Sequence, residues 1–367
     1  MPYAAKKYNL DLLSEENVKK YVLPHYNLNE AEISRIKFKD TDKQRAVYKV
    51  SYNNESYCLK KVYFSKEELL FVYSAIEWLF RNNIKVPKIL ATNTNDRFVN
   101  YNNMLFILTP WIEGEKCNYD IREHILLSIN NLAHMHKSCG KFTPIEGSTM
   151  RRSFDSINIS ISKHFHQLLS CSNLAFKYGD KFSKLFLQNF ENNLFLAEIA
   201  AQVSSTINSN NLSKSLCHLD YVNKNIIFDD KKNTWVIDFD KCSTDYCTHD
   251  ISYFLRRLLK RDSTNWDLDL TLNCINIYEK TCPLTLDEYK YILAYLSFPQ
   301  KFWKISKDYY NNIKKCNHNS FFYLLKKTIQ RDEEHLNFVI DFGKHIENKL
   351  IPMKFQGFFH CTIFLDS

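Results

Sequence analysis

The stretch SLCHLDYVNKNIIF, residues 215–228, sets His218, Asp220 and Asn225 between two apolar runs. Eight residues further on comes VIDFD, residues 236–240, again in an apolar setting. Three carboxylates and a carboxamide therefore sit at the ends of segments that read as buried strands. Buried charge is costly unless it is paired, hydrogen-bonded or holding a metal, so the rest of the chain has to supply a reason for this cluster.

With 367 residues the chain can bury a large core, and two lobes are the natural expectation. Hydrophobic residues at 45% and charged residues at 25% describe a globular protein and exclude a disordered one. The formal charge of +8 is spread along the chain rather than gathered in a block, which reads as a solvated basic surface. Neither nucleic acid nor a membrane is expected as a partner. The eleven cysteines form no CxxC pair, and Cys58, Cys217 and Cys274 lie inside apolar runs; buried free thiols in a reducing, cytoplasmic setting are expected. The N-terminal stretch MPYAAKKYNLDLLSEENVKKY has no apolar signal core, and no run is long enough to span a membrane. The apolar tail, FQGFFHCTIFLDS, is expected to be packed rather than anchored.

Residues 46–62, AVYKVSYNNESYCLKKV, alternate apolar and polar positions about an Asn-Asn pair that tolerates positive φ, and so read as a β-hairpin. On its second strand Cys58, Lys60 and Val62 share one face. SKEELLFVYSAIEWLFRN, residues 65–82, is an amphipathic helix, and NMLFILT, residues 103–109, a buried strand. Beyond residue 112 the pattern becomes helical, as in IREHILLSINNLAHMHKS, residues 121–138, where His136 on the apolar stripe reads as a core histidine. The only β signal in that half is NIIFDDKKNTWVIDF, two short strands joined by a polar turn. The layout is α+β and bilobal: a small antiparallel β-sheet lobe over 1–110 and a larger, mostly helical lobe over 111–367.

Within this layout the polar cluster suits phosphoryl transfer. That reaction needs a carboxylate to orient a hydroxyl and accept its proton, and oxygen ligands for Mg²⁺, which Asp220, Asn225 and Asp238 can supply. It also needs a cation on the α and β phosphates. Lys60, on the inner face of its strand, with Glu68 (or Glu67) early in the following helix as its partner, fits that role.

These residues resemble the protein-kinase-like fold in its aminoglycoside phosphotransferase and choline kinase branch, whose pattern His-x-Asp-x₄-Asn followed by an Ile-Asp-aromatic strand end is met by residues 218–240. The resemblance implies Asp220 as catalytic base, Asn225 and Asp238 as magnesium ligands, and His218 and Asp250 as supports of the loop. It implies Lys60 at the phosphates of ATP and Cys58 over the adenine. ILTPWIEG, residues 107–114, resembles the hinge segment, where the Pro110 carbonyl and the Ile112 N–H would bind adenine. A narrower resemblance covers nearly the whole chain. VPKIL, WIEGEKC, LAHMHKSCGKF, VIDFDKCSTDYCTHDISYFLRR and YILAYLSFPQKFWKISKDYY are together similar to the bacterial spore coat protein S (CotS) family. That family implies a spore-forming bacterium, a location in the mother cell or the spore coat, and other coat proteins as partners.

The expected function is therefore an ATP- and Mg²⁺-dependent phosphotransferase acting on a hydroxyl of a small molecule or sugar. The alternative is a structural coat component that keeps the fold without turnover. A protein kinase fits less well, because Asp238 and Asp250 leave only a short activation segment between them. The loop KDTDKQRA, residues 39–46, has no glycine and so forms no glycine-rich phosphate flap. Asp240 is either an additional metal contact or a plain surface carboxylate. FPQKFWK, residues 298–304, reads as helix packing, or else as an acceptor-pocket wall in which Lys301 and Lys304 would meet a polar or anionic acceptor. The Arg pairs starting at 151 and 256 read as solvated faces.

Overall fold

The alternation in residues 45–61 produces the hairpin at the centre of the first sheet. Strands β2 (Arg45–Tyr52) and β3 (Glu55–Lys61) pair antiparallel from Ala46↔Lys61 to Tyr52↔Glu55. Asn53 and Asn54 turn the corner at φ 48 and 64, the left-handed pair that matches strand twist in a two-residue loop. The computed structural model describes residues 11–39 and 44–350. Most of the glycine-free loop before β2, and the tail from 351 with Cys361, lie outside the described residues.

The fold is α+β and bilobal, and its two compact units are each discontinuous in sequence. Unit 1 takes the described residues up to Asn118 together with His134–Arg152 and Asn223–Ser243. Unit 2 takes Tyr119–Ala133, Ser153–Val222 and the described residues from Thr244 onward. In unit 1, β1 (Glu32–Lys39), β2, β3, β4 (Val99–Tyr101) and β5 (Met104–Pro110) form a sheet in the order β1-β2-β3-β5-β4. Helix α1 (Glu15–Tyr21) packs with this sheet in one core, and the Tyr48 hydroxyl donates to the Leu13 carbonyl at 2.6 Å. Tyr48, Val50, Leu59 and Phe106 in that core are essentially inaccessible, and each such burial is worth roughly 1.5–3 kcal/mol.

Helix α2 (Lys66–Arg81) starts at a capping box, with Ser65 and Glu68 satisfying each other's backbone N–H groups. Its apolar face buries Leu69, Phe71, Val72 and Leu79, and Phe142 meets Phe71 and Trp78 edge-on. The second sheet of unit 1 has the order β6-β8-β9, from β6 (Glu115–Lys116), β8 (Ile226–Phe228) and β9 (Thr234–Val236). Two backbone bonds tie this hairpin to distant chain: Val236 N–H to the Lys85 carbonyl at 3.0 Å and Cys117 N–H to the Ile226 carbonyl at 2.9 Å. The hairpin thus belongs with the first sheet's unit although it lies in the helical half of the sequence.

Helix α3 (Arg122–Ser138) is divided between the units. Unit 2 contains α4 (Ile157–Tyr178), α5 (Lys181–Gln188), α6 (Phe190–Ser205), α7 (Cys247–Leu259), α8 (Leu268–Glu279), α9 (Leu286–Ser297), α10 (Gln300–Asn311), α11 (His318–Thr328) and α12 (Asp332–Leu350). A strand pair, β7 (Lys214–Cys217) with β10 (Ser243–Tyr246), adds to the β structure read from sequence. The carboxylate of Glu288 is fully buried at the start of α9, and it is satisfied by the Ser213 and Thr285 N–H groups at 2.9 and 2.8 Å. Aromatic stacks between Phe182 and Tyr309 and between Phe186 and Phe302 lock α5 to α10. No helix among the described residues is long and apolar enough to cross a membrane.

Every cysteine among the described residues is a free thiol, and burial pushes Cys171 and Cys274 up to about 12, where they are poor nucleophiles. Titration of denatured protein expressed in a reducing cytosol should therefore count close to eleven thiols, and several stable disulfides would contradict this. Gly114 has φ +146, and an added Cβ would lie 2.3 Å from the Phe228 carbonyl oxygen. Gly114→Ala should lower the denaturant midpoint, at a cost of about 2 kcal/mol or more; an unchanged midpoint would show that the chain does not approach Phe228 this closely.

Candidate active site

In unit 1 the site is built around Lys60. Strand alternation points its side chain to the same face as Cys58, and in the register Cys58 faces Thr109 while Lys60 faces Ile107. The Lys60 ammonium donates to Asp238 Oδ1 and Asp240 Oδ1, both at 2.6 Å. Burial works to lower its pKa, but Asp240 and Asp238 outweigh it and hold Lys60 well above the ordinary lysine range. The two acids stand at the end of β9, where Asp238 takes a left-handed conformation, φ 68 and ψ 59, and begins a short 3₁₀ turn. Asn225 precedes β8 directly, and its carbonyl accepts the Ile237 N–H at 3.0 Å. Asn225 and Asp238 therefore come together at one end of the same hairpin.

The expectations for Glu68 and Arg151 are corrected here, and one of the two readings of Asp240 falls. Glu68 does not reach Lys60: its carboxylate accepts the Ser65 N–H at 3.0 Å, and the partners of Lys60 are Asp238 and Asp240. The cap prevails because Ser65 is three residues away and the helix geometry delivers it. Asp240 is no surface carboxylate, being 4% exposed. Arg45 stands 3.6 Å from its Oδ2, and Arg151 donates to its backbone carbonyl at 2.8 Å. Arg151 is correspondingly not on a solvated face, and its guanidinium also lies over Phe64 and Phe71. Arg45 and Arg151 are the site residues that sequence reasoning missed, because nothing near either in the chain announces Asp240.

At the end of β5, Pro110 faces Tyr57 across the sheet, and the Trp111 N–H donates to the Ser56 carbonyl at 2.9 Å. The Ile112 N–H has no hydrogen-bond partner among the described residues. It is a donor left over where the strand ladder stops.

Unit 2 holds the loop of Asp220. Asp250, fully buried near the start of α7, accepts the His218 N–H at 2.6 Å and the Leu219 N–H at 2.8 Å. These charge-assisted bonds hold Leu219 at φ +58, an unfavourable conformation for an apolar side chain by about 1–2 kcal/mol. His218 Nδ1 accepts the Asp220 N–H at 3.2 Å, which requires that nitrogen to be unprotonated. Tyr221, also fully buried, donates its hydroxyl to the Ser128 carbonyl at 2.7 Å and anchors the loop to α3. Asp220 itself is 8% exposed. His218 and Asp250 thus sit against the backbone of the Asp220 loop, and Tyr221 is an anchor that sequence did not single out. Asp250→Asn keeps one acceptor oxygen but turns an NH₂ toward the second backbone N–H. It should cost about 1–3 kcal/mol in chemical denaturation, and no loss would mean that the loop is held by other contacts.

The sequence model of the phosphotransferase enzyme family (APH) matches residues 40–272 of this chain. Spore coat protein S of Bacillus subtilis (strain 168) is 19% identical over 308 residues, which cover 82% of this chain and 86% of that protein. Among solved structures, an aminoglycoside phosphotransferase from Alicyclobacillus acidocaldarius aligns over 89% of this chain and 96% of its own, with a TM-score of 0.75 at 18% identity. A spectinomycin phosphotransferase in complex with ADP and spectinomycin aligns over 90% and 99%, with a TM-score of 0.65 at 16% identity. The folds are alike across nearly the full length of each chain. With the family match spanning more than half of its residues, the chain belongs to the phosphotransferase enzyme family.

Proposed function

We propose that the protein transfers the γ-phosphoryl group of ATP, with Mg²⁺, to a hydroxyl of a small molecule or sugar. The observation that carries this reading is the Lys60 ammonium held at 2.6 Å by both Asp238 and Asp240. Two carboxylates gather against Lys60, with Arg45 3.6 Å from the second, so hard oxygen ligands and cations converge where a divalent cation and phosphate oxygens would be held together. The donor set also fits. Asp238, Asn225 and Asp240 offer hard oxygen ligands, and Asp240 Oδ2 is buried without a hydrogen-bond partner among the described residues. When bound, Mg²⁺ supplies charge neutralisation on the phosphate oxygens.

The roles then divide by chemistry. Lys60 neutralises phosphate, while Cys58, the Pro110 carbonyl and the Ile112 N–H meet the base. Asp220 orients the acceptor hydroxyl and takes its proton, and His218 and Asp250 position the loop that presents it. Glu68 has a capping role only. The similarity to spore coat protein S supports action in the mother cell or coat of a spore-forming bacterium, alongside other coat proteins.

ATP with Mg²⁺ should raise the melting temperature, because Lys60 and the metal ligands bind in the folded state only. Lys60→Met should remove most of that shift in protein that remains folded. No shift at millimolar nucleotide would favour a structural coat role without turnover. Asp220→Asn should keep nucleotide affinity and lower turnover by roughly 10²- to 10⁴-fold, the scale of general-base loss. Asp238→Asn should weaken Mg²⁺-dependent nucleotide binding as well as rate. If Asp220→Asn abolishes ATP binding while Asp238→Asn leaves it intact, the roles are wrongly assigned.

A further inference from the structure

The segment Phe298–Phe302 has no part in the nucleotide chemistry, yet it lines a cavity of about 120 Å³ inside unit 2. Trp266, Phe298 and Phe302 give the cavity buried apolar walls. Four cationic side chains open onto it, Lys260, Lys301, Lys327 and Arg331, against the carboxylates of Asp262 and Asp332. Both acids already have partners. Asp262 is ion-paired with Arg331, and Asp332 Oδ2 accepts from Asn193 Nδ2 at 2.6 Å while burial pushes its carboxyl up to about 6. The ammonium groups of Lys260, Lys301 and Lys327 have no acceptor among the described residues.

Lys260 is the residue least suited to be alone. It caps the C-terminus of α7, and its carbonyl accepts from Arg331 Nη1 at 3.0 Å, which fixes it in the cavity wall. Burial, then Arg256, Lys301 and Arg257, push its ammonium down to about 7. A half-buried cation among like charges and aromatic walls is costly unless an anion completes it. Helical spacing puts His249, Tyr253, Arg256 and Lys260 on one stripe of α7, and Lys260 lies about 15 Å along the axis from Asp250. Arg256 on that stripe is itself tied down, donating to the Tyr295 hydroxyl at 2.6 Å.

We propose that this cavity is an anion-binding site that takes a phosphate or carboxylate group, with Lys260 as its principal ligand and Lys301 and Lys327 beside it. The group belongs either to the acceptor or to a free anion that acts as an effector. Binding itself does not depend on the kinase reading; only the acceptor assignment rests on it.

The test uses the full chain with inorganic phosphate as probe, compared with chloride at matched ionic strength near neutral pH. Phosphate should raise the melting temperature of the wild type, and Lys260→Met should weaken that response about tenfold, the scale of one charge-assisted hydrogen bond. Without phosphate, Lys260→Met should melt higher than wild type. The gain should be full below pH 7 and fade toward pH 10, because the folded-state pKa lies below the ordinary value of 10.5. Lys301→Gln, at an exposed position, gives a second variant that keeps the fold and should also weaken the response. Lys60→Met separates this site from any phosphate bound at the nucleotide residues, and should leave the response intact. Equal phosphate responses in wild type, Lys260→Met and Lys301→Gln would overturn the proposal, as would a response lost only in Lys60→Met. To find the source, neutral hexoses are compared as acceptors with their phosphate esters and uronic acids. A preference for the charged acceptors that Lys260→Met abolishes assigns the anion to the acceptor. A phosphate-dependent change in ATP hydrolysis, lost in Lys260→Met and without such a preference, assigns it to an effector.

Discussion

The salt bridges from Lys60 to Asp238 and Asp240 are the constraint on which unit 1 depends. Lys60 stands on β3 and its partners follow β9, 178 and 180 residues later. A partly buried lysine carries a desolvation cost, and two carboxylates at hydrogen-bond distance offset it. The strand, the hairpin and the turn after β9 must therefore form in one register or leave charge stranded. Arg45 and Arg151 add to the constraint by holding the side chain and the carbonyl of Asp240. The same requirement explains why a hairpin from the helical half of the sequence joins the sheet's unit. Its backbone bonds to Lys85 and Cys117 bring the acids to the lysine.

Both polar loops carry a residue in the left-handed region, Leu219 in one and Asp238 in the other. Aspartate tolerates that conformation; leucine does so poorly. At Leu219 the surroundings compensate. The buried Asp250 carboxylate takes two successive N–H groups, and Tyr221 pins the next turn of chain. Leu219 directly precedes Asp220, so the same bonds fix the course of the chain at that carboxylate.

The electrostatics of the two units differ in kind. In unit 1 the partly buried Lys60 is held charged by two carboxylates, whereas burial, and then like charges, push Lys260 in unit 2 toward neutrality. Composition shows only a net charge of +8, with no hint that one lysine is overpaired and another unpaired. The cysteines behave more simply. Their placement in apolar runs already marks them as packing residues, and burial keeps Cys171 and Cys274 in the thiol form.

What the sequence determined by itself is local. Period-two alternation over residues 45–61, two asparagines for the turn, and Ser65 with Glu68 at a helix start each specify their element, because the groups that satisfy one another lie within a turn. Apolar runs on either side set the polar residues from His218 to Asp240 at strand ends, and their resemblance to the aminoglycoside phosphotransferase pattern made the fold legible. Tertiary structure alone decided partnership. Lys60 takes its partners from Asp238 and Asp240, 178 and 180 residues away, while Glu68 stays on its local cap. Arg151 looked like surface, and Asp240 was open between a metal contact and a surface carboxylate, until a fold closed over more than eighty residues of chain brought one against the other. Lys260 looked like any lysine ending a helix until α10, α11 and α12 walled it in. Long-range pairing depends on register and packing, which spacing along one chain does not contain.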